Sequence, residues 1–295
     1  MAPPERLHLV DGTYELFRAH YSGRPPHSDP EGRERKATVG LAASLLALLQ
    51  EAAEKVTHLA VAFDNPVRSF RNDLFAGYKS DDGVPPELLA QFDAAEEAVR
   101  ALGVTVWSMK EHEADDALAT AAARFAPQVG QVRVMSPDKD LGQCVSGTRV
   151  VQVERKSGRE LDEAAVRALR GVGPSSIPDL LALTGDTADG IPGLKGFGEK
   201  SAAAVLARWE HLERIPASAA DWDVKVRGAE KLAATLAAQR EEALLYRRLA
   251  TLVTDAPLAE DLEALAFRGV PREAFLAWCE RLGVGSLRER PHLWR

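Results

Sequence analysis

Leu-His-Leu-Val-Asp, residues 7–11, sets a short apolar strand signal directly against an acid at its carboxyl end. Runs of the same kind recur at 59–63, 104–107, 132–135 and 150–153, rich in Val, Ala and aromatic residues. Between them, residues 38–55, 87–102 and 114–125 carry Ala- and Leu-rich faces at helical period. Strands alternating with helices of that length predict a mostly parallel sheet whose crossover helices cover both faces, an α/β doubly wound domain. Strand signals fade near Arg170, and residues 171–178 read as a linking turn before further helices. The expected organisation is therefore an α/β domain over 1–170 and a helical domain over 171–295. Two irregular stretches, 20–35 and 65–86, are long for loops in a compact domain, and such loops are commonly functional.

The chain has 295 residues and 45% hydrophobic content, enough to bury a large core. Two cysteines, Cys144 and Cys279, are too few for a disulfide framework, and neither sits in a CxxC pair. The opening MAPPERLHLVDG lacks a signal-type apolar region, and no apolar run reaches bilayer length. A reducing, cytoplasmic or nucleoid setting is the expectation. A net charge of −7 argues against a phosphate-bearing partner unless the acids converge on bound cations, which then become the largest local charges.

The acids do fall in such a pattern. Asp11 follows LHLV, Asp64 follows AVAF, and Asp138 and Asp140 follow VRVMSP. In an open parallel sheet these strand ends share one crevice. Glu113, Asp115 and Asp116 open the helix after the strand at 104–107 and add three carboxylates to the same edge. One helix-opening acid is commonly a cap. So many together raise one another's pKa and destabilise the fold unless cations neutralise them. Oxygen-only donors suit Mg2+ or Mn2+, and the absence of His and Cys speaks against zinc. Two such ions about 4 Å apart activate water and stabilise the leaving oxygen of a phosphodiester. The GxxxxGK[ST] signature of an NTPase is missing. His8, His20 and His112 lie near these acids and read as structural or solvent-facing.

Beyond the sheet, TGDTADGIPGLKGFGEKSAAAVL places Asp186 and Asp189 before a turn with Gly193, Gly196 and Gly198, then an Ala-rich helix. Backbone amides and a helix N-terminus in such a hairpin hold a DNA phosphate without reading bases, and Lys195 and Lys200 add charge.

LVDGTYELFRA, VAFDNPVRSFRNDLFAGYK, EADDALA, SPDKDLGQ and TGDTADGIPGLKGFGEKSA stand in the order of the 5′-nuclease, or flap endonuclease, family. Over roughly residues 5–260 the chain resembles the 5′-to-3′ exonuclease domain of bacterial family-A DNA polymerases, here without a polymerase portion. The resemblance implies a PIN-like core and a helix-three-turn-helix element at about 186–206. It implies two Mg2+ or Mn2+ ions, the first among Asp11, Asp64, Glu113, Asp115 and Asp116, the second completed by Asp138, Asp140, Asp186 and Asp189. It further implies K+ at loop carbonyls within 191–206, and DNA contacts at Gly193, Lys195, Gly196, Gly198, Lys200 and Ser201. Arg71 and Lys79 match the FR and YK positions at which, as the resemblance implies, the family grips the scissile phosphate and the 5′ strand. The implied partner is DNA with 5′ ends, flaps or nicks, worked on by a monomer alongside a polymerase in replication or repair.

Where relatives carry a small residue, a basic residue and a PTP-like turn after YK, this chain reads SDDGVPP, with Asp81 and Asp82 in the arch that threads the strand. Over 65–83 Arg68, Arg71 and Lys79 are matched by Asp73, Asp81 and Asp82, which weakens electrostatic capture of a single strand. Tyr14, Phe17 and Tyr21 are candidates either for stacking on a base or for the core. Two other readings share these residues: a nucleic-acid-binding scaffold that has lost hydrolysis, and an RNA-directed nuclease. The nine filled acidic positions oppose the first, and the Gly-rich hairpin opposes the second. At the C-terminus, Leu293 and Trp294 are expected to pack on the last helix.

Overall fold

The computed structural model describes residues 5–295. Its N-terminal half runs β1 (Arg6–Asp11), α1 (Gly12–His20), α2 (Lys36–Gln50), β2 (His58–Asp64), α3 (Arg71–Leu74), α4 (Pro86–Leu89), α5 (Phe92–Ala101), β3 (Thr105–Met109), α6 (Ala114–Phe125) and β4 (Gln131–Met135). There follow β5 (Val150–Glu154), β6 (Arg159–Leu161), α7 (Glu163–Arg170), α8 (Ile177–Thr184), α9 (Glu199–Trp209), α10 (Ala229–Ala238), α11 (Arg240–Ala250) and α12 (Arg272–Arg281). Among the described residues no helix is long and apolar enough to cross a membrane.

Two compact units form. The first comprises the described residues up to Arg68, together with Asp81–Ser136 and Thr254–Arg295. Its strands stand in the order β3-β2-β1-β4, all parallel. β1 and β2 are buried along nearly their whole length and take the centre, where both faces are covered. The crossovers run outward from β1 to β3 and then back to β4. Right-handed connections in opposite directions put their helices on opposite faces. Accordingly α6 packs on all four of these strands, while α1 and α5 pack on β1, β2 and β3 with α2 laid across them. Gly12 makes the tight entry into α1: a Cβ there would lie 2.6 Å from the Phe63 ring.

This is the doubly wound, mostly parallel architecture expected from the strand runs. The helix expected over 87–102 is two pieces, α4 and α5, broken at Gln91, whose buried amide oxygen accepts from the Thr38 backbone N–H at 3.1 Å and its hydroxyl at 3.2 Å. The C-terminal segment belongs with this unit: Trp107 Nε1 donates to Glu260 at 2.9 Å, and the Ala256 N–H to Thr120 Oγ1 at 3.1 Å. Trp294 packs on Phe275 of α12, as expected, whereas Leu293 is exposed.

The second unit comprises Ser69–Ser80 and Pro137–Val253. β5 and β6 form an antiparallel hairpin, and α8 sits between α9 and α11. Leu181, Leu183, Val205, Leu206 and Leu249 form its core. Truncating one such Leu to Ala typically costs about 2–5 kcal/mol. Buried Asp179 ties the helices together, accepting from the Leu212 N–H at 3.0 Å and pairing with His211 and Arg247.

Candidate metal centre and nucleic-acid interface

In the first unit the sheet order reverses between β1 and β4, so the crevice for a ligand lies beyond the carboxyl ends of those strands. Asp11 stands there. Its Oδ1 accepts from the Tyr14 N–H at 2.8 Å, capping α1, and its Oδ2 accepts from Ser136 Oγ at 2.9 Å just past β4. Asp64, one strand over, accepts the Ala114 N–H at 2.7 Å, which pins the start of α6 to the end of β2. Glu113 is the N-cap of that helix, and its N–H donates to Asp116 Oδ2 at 3.0 Å. Glu113 and Asp116 are buried; Asp64 and Asp115 are half-buried. Asp11, Asp64, Glu113 and Asp116 thus satisfy backbone N–H groups at helix starts, and Asp115 stands beside them in the first turn of α6.

In the second unit the SPDKD turn carries Asp138, exposed, and Asp140, buried; the Asp140 N–H donates to Asp138 Oδ1 at 3.0 Å. Asp186 exchanges backbone hydrogen bonds with Ile191, both at 2.8 Å, which closes the turn that also holds Asp189. Oxygens of Asp140, Asp186 and Asp189 all lie within 4.8 Å of one another. Burial, then the charges of Asp138, Asp189 and Asp186, push the Asp140 carboxyl well above the usual carboxylate range. Its Oδ1 is buried without a hydrogen-bond partner. A buried carboxylate oxygen with no donor, in an all-oxygen cluster, is what a hard divalent cation would satisfy, so these residues fit a divalent metal ion.

Two lysines neutralise the cluster. Lys79 Nζ lies 3.1 Å from Asp189 Oδ1, and Lys139 Nζ lies 2.9 Å from Asp186 Oδ2. Lys79 was expected as a phosphate ligand and stands beside the acids. Lys139 escaped the sequence reading, although its position between two acids of SPDKD was a signal. Arg71 departs from expectation. It is 1% exposed, with Nε donating to the Leu249 carbonyl at 2.8 Å and an Nη to that of Thr251 at 3.0 Å. Its guanidinium holds the backbone at the end of α11 and is buried rather than solvent-facing.

The Gly-rich hairpin joins α8 to α9. Leu194 and Phe197 are buried, and the Leu194 N–H donates to the Leu183 carbonyl at 2.9 Å, anchoring the turn. Gly193 is required by the fold itself: its φ is +69°, and a Cβ would lie 2.3 Å from the Gly185 nitrogen. Gly198 is different, with open space around it and an extended φ of −111°. Ser201 Oγ accepts from the Gly198 N–H at 3.0 Å and fixes the first turn of α9. Lys195, Gly196, Gly198 and Lys200 are exposed, so the turn presents amides and two ammonium groups to solvent. Of the aromatic candidates, Phe17 packs edge-on against Phe92, whereas Tyr21 is 67% exposed.

Comparison with known proteins converges on these elements. Residues 6–171 match the family described as 5′-3′ exonuclease, N-terminal resolvase-like domain, and residues 172–273 match 5′-3′ exonuclease, C-terminal SAM fold. DNA polymerase I of Bacillus caldotenax is 36% identical over 290 residues, covering 97% of this chain and 32% of that protein. DNA polymerase I of Pseudomonas aeruginosa is 36% identical over 281 residues, 92% of this chain and 30% of its own length. The chain thus spans about a third of the length of these curated relatives. Among solved structures, the T5 5′-exonuclease with bound divalent metal ions (zinc) superposes with a TM-score of 0.66 at 17% identity, over 97% of this chain and 100% of that one. At that identity the likeness is one of fold.

Proposed function

Because this chain belongs to the 5′-3′ exonuclease family, we propose that it hydrolyses DNA phosphodiester bonds near 5′ ends, flaps and nicks with two divalent ions, Mg2+ or Mn2+. The observation that carries this reading is the Asp140, Asp186 and Asp189 cluster with its unsatisfied Asp140 oxygen. Asp138, Asp140, Asp186 and Asp189 would hold one ion, and Asp11, Asp64, Glu113, Asp115 and Asp116 the other. Bound there, such ions lower the pKa of water and neutralise charge on the scissile phosphate. Lys79 would exchange Asp189 for a substrate phosphate once a cation takes over that acid. Arg71 holds the end of α11 under it. The exposed lysines Lys195 and Lys200, with the turn backbone at Gly193, Gly196, Gly198 and Ser201, would bind duplex phosphates without reading sequence. Carbonyls within 191–206 would hold K+, a feature supported by family membership alone.

The same reading places the protein in the cytoplasm at the nucleoid, as a monomer acting with a polymerase. Product mapping on matched flap, nicked, gapped and single-stranded substrates, with Mg2+ and with EDTA, tests it. Metal-dependent cleavage at 5′ ends or junctions is expected. DNA binding without cleavage would favour a scaffold instead, and preference for RNA a different nuclease.

A further inference from the structure

A cavity of about 560 Å3 opens between the last residues of α7, the length of α8 and the first residues of α9. Lys139, Leu169, Arg170, Thr184, Asp186 and Gly198 are among its lining residues, all within the second unit. Small-molecule sites run from about 300 to 1,000 Å3, so the space suits something larger than a phosphate ion.

The lining is chemically uneven. Asp186 is already matched by Lys139 at 2.9 Å. Arg170, half-buried, has no ion-pair or hydrogen-bond partner for its guanidinium among the described residues. A cation in the last turn of α7 favours the helix dipole, which explains a positive charge there but not its place on a cavity wall. Its neighbour Leu169 is 46% exposed, one of three large hydrophobic residues so exposed among those described. A forked cation beside a bare apolar side chain, over the apolar floor of Ile177 and Leu180, offers a phosphate site and a base-sized wall together. Asp186 belongs both to this lining and to the carboxylate cluster, so a ligand here lies next to the candidate metal centre.

We propose that this cavity takes one nucleoside 5′-monophosphate unit, with its phosphate on Arg170 and its base against Leu169. The inference rests on the nuclease reading and deepens it by naming a subsite for a nucleotide, whether free or at the 5′ end of a strand.

Calorimetric titration of the full chain in Mg2+ with dAMP, deoxyadenosine, inorganic phosphate and a 5′-phosphorylated trinucleotide tests it. dAMP should bind more tightly than either of its parts. Arg170→Ala should weaken it by about tenfold or more, the size expected for a lost charge-assisted hydrogen bond. Leu169→Ser, at an exposed position that the fold tolerates, should weaken dAMP while leaving inorganic phosphate unchanged. Tighter binding of the trinucleotide assigns the unit to a strand end, and equal binding to the free nucleotide; both support the subsite. dAMP binding no better than phosphate, or equal affinity in wild type and both variants, overturns it. That failure, with Mg2+-dependent flap cleavage intact, strikes the cavity alone; absence of cleavage by the wild type strikes the nuclease reading.

Discussion

Lys79 meets Asp189 twice, its Nζ lying 3.1 Å from Oδ1 and its backbone N–H donating to the Asp189 carbonyl at 3.0 Å. The close approach of the backbones is open only to glycine at Gly190, where a Cβ would lie 2.1 Å from the Gly77 carbonyl oxygen. Lys79 is therefore delivered to the acid cluster by main-chain geometry and survives there when its ammonium lets go of the carboxylate. Lys79→Ala should keep the fold and metal binding but lower single-turnover cleavage by about tenfold to a hundredfold, the worth of one charge-assisted contact to phosphate. Wild-type turnover in that variant would remove Lys79 from the chemistry.

Arg71→Ala should behave in the opposite sense. It leaves the Leu249 and Thr251 carbonyls without their donor and empties a buried site, so the loss is expected in stability, about 3 kcal/mol. Urea unfolding reads this directly. Full stability with lost cleavage would show that Arg71 acts on substrate.

The hairpin glycines should separate by mechanism. Gly193→Ala forces a Cβ against the Gly185 backbone at positive φ and should destabilise the second unit. Gly198→Val has room and an ordinary φ, so the fold should stand while duplex affinity falls, since the side chain would hold phosphate away from the amides. Unchanged affinity of Gly198→Val across a salt titration would exclude a phosphate-binding hairpin.

Glu54 carries a pH prediction. Burial raises its pKa, but the hydrogen bond to His8 at 2.9 Å and the Arg133 guanidinium, in ion-pair contact at 2.7 Å and donating at 3.2 Å, outweigh that and hold the carboxyl at about 2, below its ordinary 4.5. A depressed carboxylate contributes stability above its unfolded value and loses it as pH falls through the folded one. Stability should therefore decline between about pH 4.5 and 2, and Glu54→Gln should flatten that slope. Buried His8, whose pKa is lowered by burial, adds a loss of the same sign from about pH 6.5 downward. An identical acid slope in Glu54→Gln would deny the network this role.

Asp81 and Asp82 are exposed in the stretch expected to form the arch. Replacing both with Asn should speed cleavage of long 5′ flaps more than cleavage at a nick, and the gain should shrink with salt, since exposed charges are screened over about 8–10 Å. Equal effects on both substrates would place these acids away from the strand.

Much of the site was legible because a strand's carboxyl end is visible in sequence: an apolar run stopping at Asp11 or Asp64 already says where that side chain stands. What escaped depended on tertiary partners. β6 is three residues, Arg159–Leu161, with no alternation to read. Nothing local in residues 254–295 says that Ala256 and Glu260 bond to Thr120 and Trp107, so the place of that segment in the first compact unit has no sequence signature. Arg71 looks like a surface cation because the carbonyls it holds 178 and 180 residues away have no sequence signature. Lys139 sits between two acids, but its partner Asp186 is distant in sequence.

The most direct measurement compares wild type with Asp140→Asn on a 5′-flap substrate, in Mg2+ and in EDTA, with the fold of both checked by circular dichroism. The amide removes the charge that Asp138, Asp189 and Asp186 already oppose, so the variant should fold at least as well as wild type without metal. Wild type should cleave in Mg2+ and stop in EDTA, and Asp140→Asn should lose about a hundredfold or more of turnover while still binding DNA. Wild-type turnover by a well-folded Asp140→Asn, or undiminished cleavage in EDTA, would contradict a carboxylate-held metal centre.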